Sequence, residues 1–342
     1  MAKHWVSQLG HVELLSTAPE ASVDFFRDVL GMEEVAREGQ SAWLRAWGEH
    51  WHSSLKVTEA PAPGLGHVGW RADGPEELEA AAAALEAGGL GQGWTEGDRG
   101  HGRAYRFTTP DGHANELFWE WERYQAPPER QTRIRNHPQR LPGWGAMVRR
   151  IDHCNLFCQD LAGARRLFAD LLGFKHNEAI YVPGVERELG AFLACSSLSH
   201  DLGLIQDASG GRGRFNHVAY WLDSREDVLR AADLVVDAGM EIEFGPSRHA
   251  VSEAFFVYVF EPGGNRVEIY SGGYLNFAPD WGPVRWYVSD NPMLYWGGRP
   301  PEGMTLKSYG SPPTPEQAEA AAAAGVASSY GIGPTPHQLP QS

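Results

Sequence analysis

Three residues in the second half of this chain have the types and spacing of a metal centre: His153, His217 and Glu268. His153 lies in the apolar run Ile151-Asp-His-Cys-Asn-Leu156, His217 in Asn216-His-Val-Ala-Tyr220, and Glu268 in Asn265-Arg-Val-Glu-Ile-Tyr270. Two neutral imidazoles and one carboxylate form a facial triad, the ligand set that holds Fe(II) while leaving positions open. Open positions let a substrate and O2 reach one metal together. A lone histidine on an apolar strand is ordinarily a core residue. Three such residues at equivalent element ends are hard to explain as packing, because burying a carboxylate and two imidazoles without purpose is costly.

The elements that must position them come from an internal repeat. Val23-Asp-Phe-Phe-Arg-Asp-Val-Leu-Gly31 reads like Arg165-Arg-Leu-Phe-Ala-Asp-Leu-Leu-Gly173. Apolar residues recur at helical spacing and a glycine stops each run. Each helix follows a strand-like segment with a histidine, His11 in the first case and His153 in the second. A second pair echoes itself: Gly66-His67-Val-Gly-Trp70 against Asn216-His217-Val-Ala-Tyr220, with helices expected over 75–87 and 224–238. Each of these units closes in a hairpin, turned by Pro-Asp-Gly or Pro-Gly-Gly, that carries Glu116 or Glu268. The chain is therefore an α+β protein of four repeated βαβββ modules. The expected units are 1–123, a Pro-, Arg- and Gln-rich linker over 124–148, 149–296, and a tail over 297–342 with a helix over Glu316 to Ala324.

Bulk properties narrow the field. With 342 residues, 42% of them hydrophobic, the chain is long enough for two domains and a sizeable buried core. A formal net charge of -15 argues against nucleic acid or an anionic membrane as partner. No apolar run reaches the roughly 18 residues of a membrane span, and the first residues lack a secretory signal. The cysteines, Cys154, Cys158 and Cys195, are sparse and odd in number, as in a reducing cytoplasm. Cys154 and Cys158 are spaced like half a zinc site, but no second pair completes it, so buried thiols are expected.

The stretch from His249 through Tyr258, Pro262 and Gly264 to Glu268 resembles the signature of extradiol ring-cleavage dioxygenases, members of the vicinal oxygen chelate superfamily. The signature asks for a histidine, a tyrosine after an apolar residue, a Pro-x-Gly turn and a glutamate. Ser247 departs from it, standing where Gly, Asn, Thr or an aliphatic residue is usual. The resemblance runs from His11 to about Trp296, through Ser199-His200-Asp201. It implies two vicinal-oxygen-chelate (glyoxalase-like) domains, with His153, His217 and Glu268 as metal ligands. His200 matches a histidine that handles oxygen and shuttles protons; Tyr258 and His249 match the pair beside the substrate hydroxyl. Asn155, Val251 and Tyr270 match further pocket positions. The implied metal is Fe(II), with Mn(II) able to serve the same ligands. The implied reaction opens a catechol beside its diol with O2, giving a 2-hydroxymuconic semialdehyde, in a cytoplasmic homo-oligomer, a tetramer by family habit.

His11, His67 and Glu116 occupy the repeat-equivalent positions in the first half. Counting back from Pro110 as from Pro262 puts Arg106 in the place of Tyr258 and Gly97 in the place of His249, with His101 and Tyr105 out of register. The first half is therefore read as a non-catalytic relic. For the substrate, the family's homoprotocatechuate enzymes place an arginine where this chain has Phe244, and a tryptophan where it has Phe192. A substrate carboxylate would lack its bidentate partner, so an uncharged catechol, alkyl- or aryl-substituted, is expected. The rival readings are a glyoxalase- or epimerase-like enzyme and a metal-free binding protein of the same fold.

Overall fold

The computed structural model describes residues 4–207, 209, 211–298, 300, 301 and 304. The first half builds β1 (Val6–Ser16), α1 (Pro19–Asp24), β2 (Glu33–Glu38), β3 (Ser41–Arg45), β4 (Leu55–Glu59), β5 (Gly64–Ala72), α2 (Pro75–Ala87), β6 (Gly91–Thr95), β7 (Ala104–Thr108) and β8 (Ala114–Phe118). The second builds β9 (Arg150–Cys158), α3 (Leu161–Arg165), β10 (Lys175–Val182), β11 (Arg187–Ala194), β12 (Leu202–Gln206), β13 (Arg214–Trp221), α4 (Arg225–Asp237), β14 (Ile242–Arg248), β15 (Ala254–Phe260), β16 (Arg266–Gly272) and β17 (Val284–Tyr287). Strand, helix and three strands recur four times, as the repeat requires, and β17 is an addition. The strand orders are β2-β3-β4-β1-β5-β8-β7-β6 and β14-β15-β16-β13-β9-β12-β11-β10-β17. In each sheet the first strands of two modules, β1 with β5 or β9 with β13, pair antiparallel at the centre.

Local chemistry explains the elements. The helix expected over 23–31 begins earlier, at Pro19, and passes into a π turn over Phe25–Val29; the Arg165–Gly173 run does the same over Arg166–Leu171. Gly31 and Gly173 then reverse the chain at positive φ, 78° and 84°. Ser224 caps α4, its hydroxyl accepting from the Asp227 N–H at 3.2 Å.

Strand periodicity sorts the side chains between two faces. On β9, Cys154, Leu156 and Cys158 enter the apolar core, while His153, Asn155 and Phe157 face a cavity. On β15 and β16, Val257, Val259, Val267 and Ile269 enter the core, while Tyr258 and Glu268 face that cavity. The three cysteines are buried free thiols. One core contains residues of both sheets. Trp70 and Phe168 meet edge to face across the seam at 5.7 Å, and truncating a buried aromatic like Trp70 costs about 3–5 kcal/mol. Among the described residues no helix is long and apolar enough to cross a membrane.

Candidate metal centre

β9 and β13 are antiparallel neighbours, and β16 runs parallel to β13 on its other side. Irregularities in the β9–β13 register, between Phe215 and His217 and between Val218 and Tyr220, re-aim the His217 side chain. The result brings three donors together. His153 Nε2 is 3.2 Å from His217 Nε2 and 3.0 Å from Glu268 Oε2, and His217 Nε2 is 3.0 Å from the same oxygen. All three residues are buried. Cis donors around a first-row ion bound at about 2.1 Å stand roughly 3.0 Å apart, so the donor set fits a divalent metal. Glu268 Oε1 is buried with no hydrogen-bond partner among the described residues, a cost that a cation at this point offsets.

Neighbouring groups set the ligands' charge. His153 Nδ1 lies 3.0 Å from Asp152 Oδ1, which also accepts from the Tyr270 hydroxyl at 2.6 Å. Burial pushes the His153 pKa down, but the Asp152 and Glu268 hydrogen bonds outweigh it and hold the group up at about 9. His217 goes the other way: burial dominates and lowers it to about 4 despite Glu268. Burial raises the Glu268 carboxyl, yet the two histidines hold it well below its ordinary value. An ion must compete with a proton on His153, and Asp152 orients that ring for either.

Three further polar groups face the same space. His200 sits in a turn whose Asp201 carboxylate accepts from the Cys195 and Ser196 N–H groups at 2.9 and 3.0 Å. The Asp201 carbonyl takes the Cys154 N–H at 3.1 Å, docking the turn beside β9. The His200 and His153 ring centroids are therefore 4.2 Å apart. His249 ends the β14 arm, its Nδ1 2.5 Å from the Met293 carbonyl. A carbonyl only accepts, so Nδ1 carries the hydrogen and Nε2 offers a lone pair. The Tyr258 hydroxyl, 3.2 Å from that Nε2, is the donor. Burial lowers the pKa of both histidines and raises that of Tyr258.

The cavity in front of the triad has a volume of about 480 Å³. Phe192, Phe244, Val251 and Asn155 stand on its wall, and Met293 and Leu294 close it from the chain beyond β17. Arg266 also reaches it, but its guanidinium is bound to Glu243 at 2.6 and 2.8 Å.

Residues 8–117 and 150–269 each match the Glyoxalase/Bleomycin resistance protein/Dioxygenase superfamily. The chain is 44% identical to a metapyrocatechase of Geobacillus stearothermophilus over 84% of its own length and 88% of the relative's. The chain belongs to this superfamily, and within it to the extradiol ring-cleavage dioxygenases. It is also 39% identical to a manganese-dependent 2,3-dihydroxybiphenyl 1,2-dioxygenase of Geobacillus genomosp. 3, over 86% of this chain and 94% of that one. The 2,3-dioxygenase LapB of Pseudomonas sp. KL28 superposes with a TM-score of 0.78 at 29% identity, covering 84% of this chain and all of that one.

In this extradiol dioxygenase one expected pocket residue stands elsewhere. Tyr270 is not on the cavity wall; it lies behind His153, because its hydroxyl is drawn to the buried Asp152 carboxylate. Asp152 and Asn216 are two further residues of the site that no sequence motif singles out. The signal for Asp152 is its place beside a ligand histidine, and Asn216 donates to Asn155 Oδ1 at 3.2 Å. In the first sheet His11, His67 and Glu116 also converge. His101, out of register in the sequence, reaches the same point by a loop, 3.1 Å from Glu116 Oε1.

Proposed function

We propose that the protein binds Fe(II) at His153, His217 and Glu268 and cleaves an uncharged, substituted catechol next to its diol. The observation that carries this reading is the convergence of three donors beside His200, His249 and Tyr258, all facing one cavity. A divalent metal, when bound, supplies a Lewis-acid template that holds both catechol oxygens and O2 together.

The chain's own groups then manage protons and charge. The neutral His249–Tyr258 pair takes up or relays a phenolic proton as the catechol docks, with His249 Nε2 as the free base. His200, neutral through burial, lies against His153 with ring centroids 4.2 Å apart, where it steadies negative charge developing on oxygen and returns a proton. The apolar walls exclude water that would compete for these protons. Both oxygen atoms enter the product, a 2-hydroxymuconic semialdehyde.

With Phe244 on the wall and Arg266 committed to Glu243, the described residues offer no free cation to meet a substrate carboxylate, and a cavity of about 480 Å³ exceeds what an unsubstituted catechol fills. Mn(II) is the second reading for the metal, favoured by the relative named for manganese. The three buried thiols suit a reducing cytoplasm. We also read the protein as a homo-oligomer, a tetramer in form, which light scattering tests. The central test is anaerobic loading with Fe(II) or Mn(II), then catechol and O2. A yellow ring-fission product is expected with Fe(II); its absence with both metals overturns the reading. Comparing catechol, 3-methylcatechol, 4-methylcatechol and homoprotocatechuate tests the substrate, and a clear preference for homoprotocatechuate refutes it.

A further inference from the structure

The first sheet turns four polar side chains on one buried point. His11 Nε2 lies 2.9 Å from His67 Nε2 and 3.2 Å from Glu116 Oε1. His67 Nε2 is 3.3 Å and His101 Nε2 3.1 Å from that same oxygen. The Glu116 side chain is 0% exposed and that of His101 4%.

The outward ring nitrogens fix the tautomers. His67 Nδ1 is 2.7 Å from Glu13 Oε2, and His101 Nδ1 is 2.9 Å from the Gly102 carbonyl. Carboxylate and carbonyl oxygens accept, so both Nδ1 atoms carry hydrogen and both rings aim Nε2, the metal-ligating nitrogen, inward. With no ion bound, burial lowers the His67 pKa but Glu116 and Glu13 outweigh it and raise it to about 9, so a proton holds the place that a metal would take. Three ring nitrogens and a carboxylate oxygen thus converge on one point. Both Glu116 oxygens and His101 Nε2 are buried without a hydrogen-bond partner among the described residues. Arg106 Nε, 2.8 Å from Glu116 Oε2, balances charge on the other oxygen, while Oε1 is the one the three imidazoles surround. Such a cluster calls for a cation at its centre.

We propose that His11, His67 and Glu116 hold a second divalent metal ion, structural and not catalytic, with His101 closing the site. Glu13 stands behind His67 as Asp152 stands behind His153, the outer carboxylate that orients a ligand imidazole. Two glycines of β5 keep the cradle open: a Cβ at Gly69 would lie 2.1 Å from His11 Cε1, and one at Gly66 2.4 Å from Glu13 Oε2. The space beside the cluster is only about 10 Å³, so no catechol enters. Arg106, in the place of Tyr258, brings no acid–base hydroxyl. A closed set of imidazole and carboxylate donors suits Zn(II). The ion joins β1, β5 and β8, so its work is to stabilise the first sheet. The half expected to be a relic is then non-catalytic but still a metal site.

The test uses the full chain stripped by chelation, with Zn(II) alone added back and bound metal measured after gel filtration. Wild type should retain two ions per chain. His153→Ala/Glu268→Gln, which empties the catalytic triad, should retain one, and Zn(II) should raise its melting temperature. Adding Glu116→Gln should abolish both the ion and the shift; if that variant does not fold, His67→Gln in the same background makes the measurement. One ion in wild type and none in His153→Ala/Glu268→Gln overturns the proposal, as does an ion that survives Glu116→Gln or His67→Gln. Activity does not enter, so this result is separable from the fate of the catalytic reading.

Discussion

Tyr258 faces Glu268 in register across β15 and β16. That pairing puts a phenol beside the carboxylate ligand and within 3.2 Å of His249 Nε2. In the first sheet the same register sets Arg106 against Glu116. In the proposed reading this one cross-strand position separates a half that moves a proton from one that fixes a carboxylate. Tyr258→Phe keeps the ring among Phe244 and Phe256 and removes only the hydroxyl. Its kcat should fall roughly 10²-fold, the scale of one positioned acid–base group, while metal content stays at the wild-type level. An unchanged kcat would remove Tyr258 from the proton path.

In the proposed reading Phe244 sets which ring substituents are accepted. It stacks with Tyr258 at 6.5 Å and meets Phe256 edge to face at 5.3 Å. Among the described residues a charged substituent there has no counter-ion. Phe244→Arg supplies one, and a charge-assisted hydrogen bond of about 1.5–3 kcal/mol corresponds to roughly a 10- to 100-fold effect. The ratio of kcat/KM for homoprotocatechuate over 4-methylcatechol should rise by that factor. A ratio that does not move places the substituent against another wall.

Asp152 acts through His153. Asp152→Asn leaves a side chain of the same size but withdraws the charge that orients and enriches the imidazole. Metal affinity should drop about 10- to 100-fold, read by competition with a chelator, while the rate at saturating metal changes less. Equal loss in both would make Asp152 part of the reaction itself.

The triad and the four-module frame were legible because strand periodicity and repeat spacing survive in the sequence. His153, His217 and Glu268 sit inside ladders, where counting residues is counting ångströms. Counting fails outside ladders. His101 reaches Glu116 on a loop held by bridges to Asp98 and Trp121, so its lack of register hid its position. Tyr270 has the right parity for the cavity, yet hydrogen bonding to Asp152 takes it behind His153. β17 grows from a Pro- and Gly-rich stretch by parallel pairing with β10, which local pattern does not encode. The helix expected over Glu316 to Ala324 lies outside the described residues.

His113 links the halves and should give the protein an acid-sensitive seam. It lies in the turn between β7 and β8, its Nε2 donating to the Arg214 carbonyl at 3.1 Å and its Nδ1 2.7 Å from the Thr109 hydroxyl. Both nitrogens are used by the neutral ring. Burial lowers its pKa to about 4, against the opposing pull of the Arg214 and Phe157 carbonyls. An unfolded histidine titrates near 6.5. The stability from keeping this ring neutral is therefore whole above about pH 6.5 and declines as pH falls toward 4, because only the unfolded chain takes the proton readily. His113→Gln keeps a polar side chain that cannot titrate. It should melt below wild type at pH 7.5, and the gap should narrow by pH 5 as wild type loses its advantage. Melting curves recorded for both proteins across that range decide the matter: parallel lines would mean that His113 contributes no pH dependence.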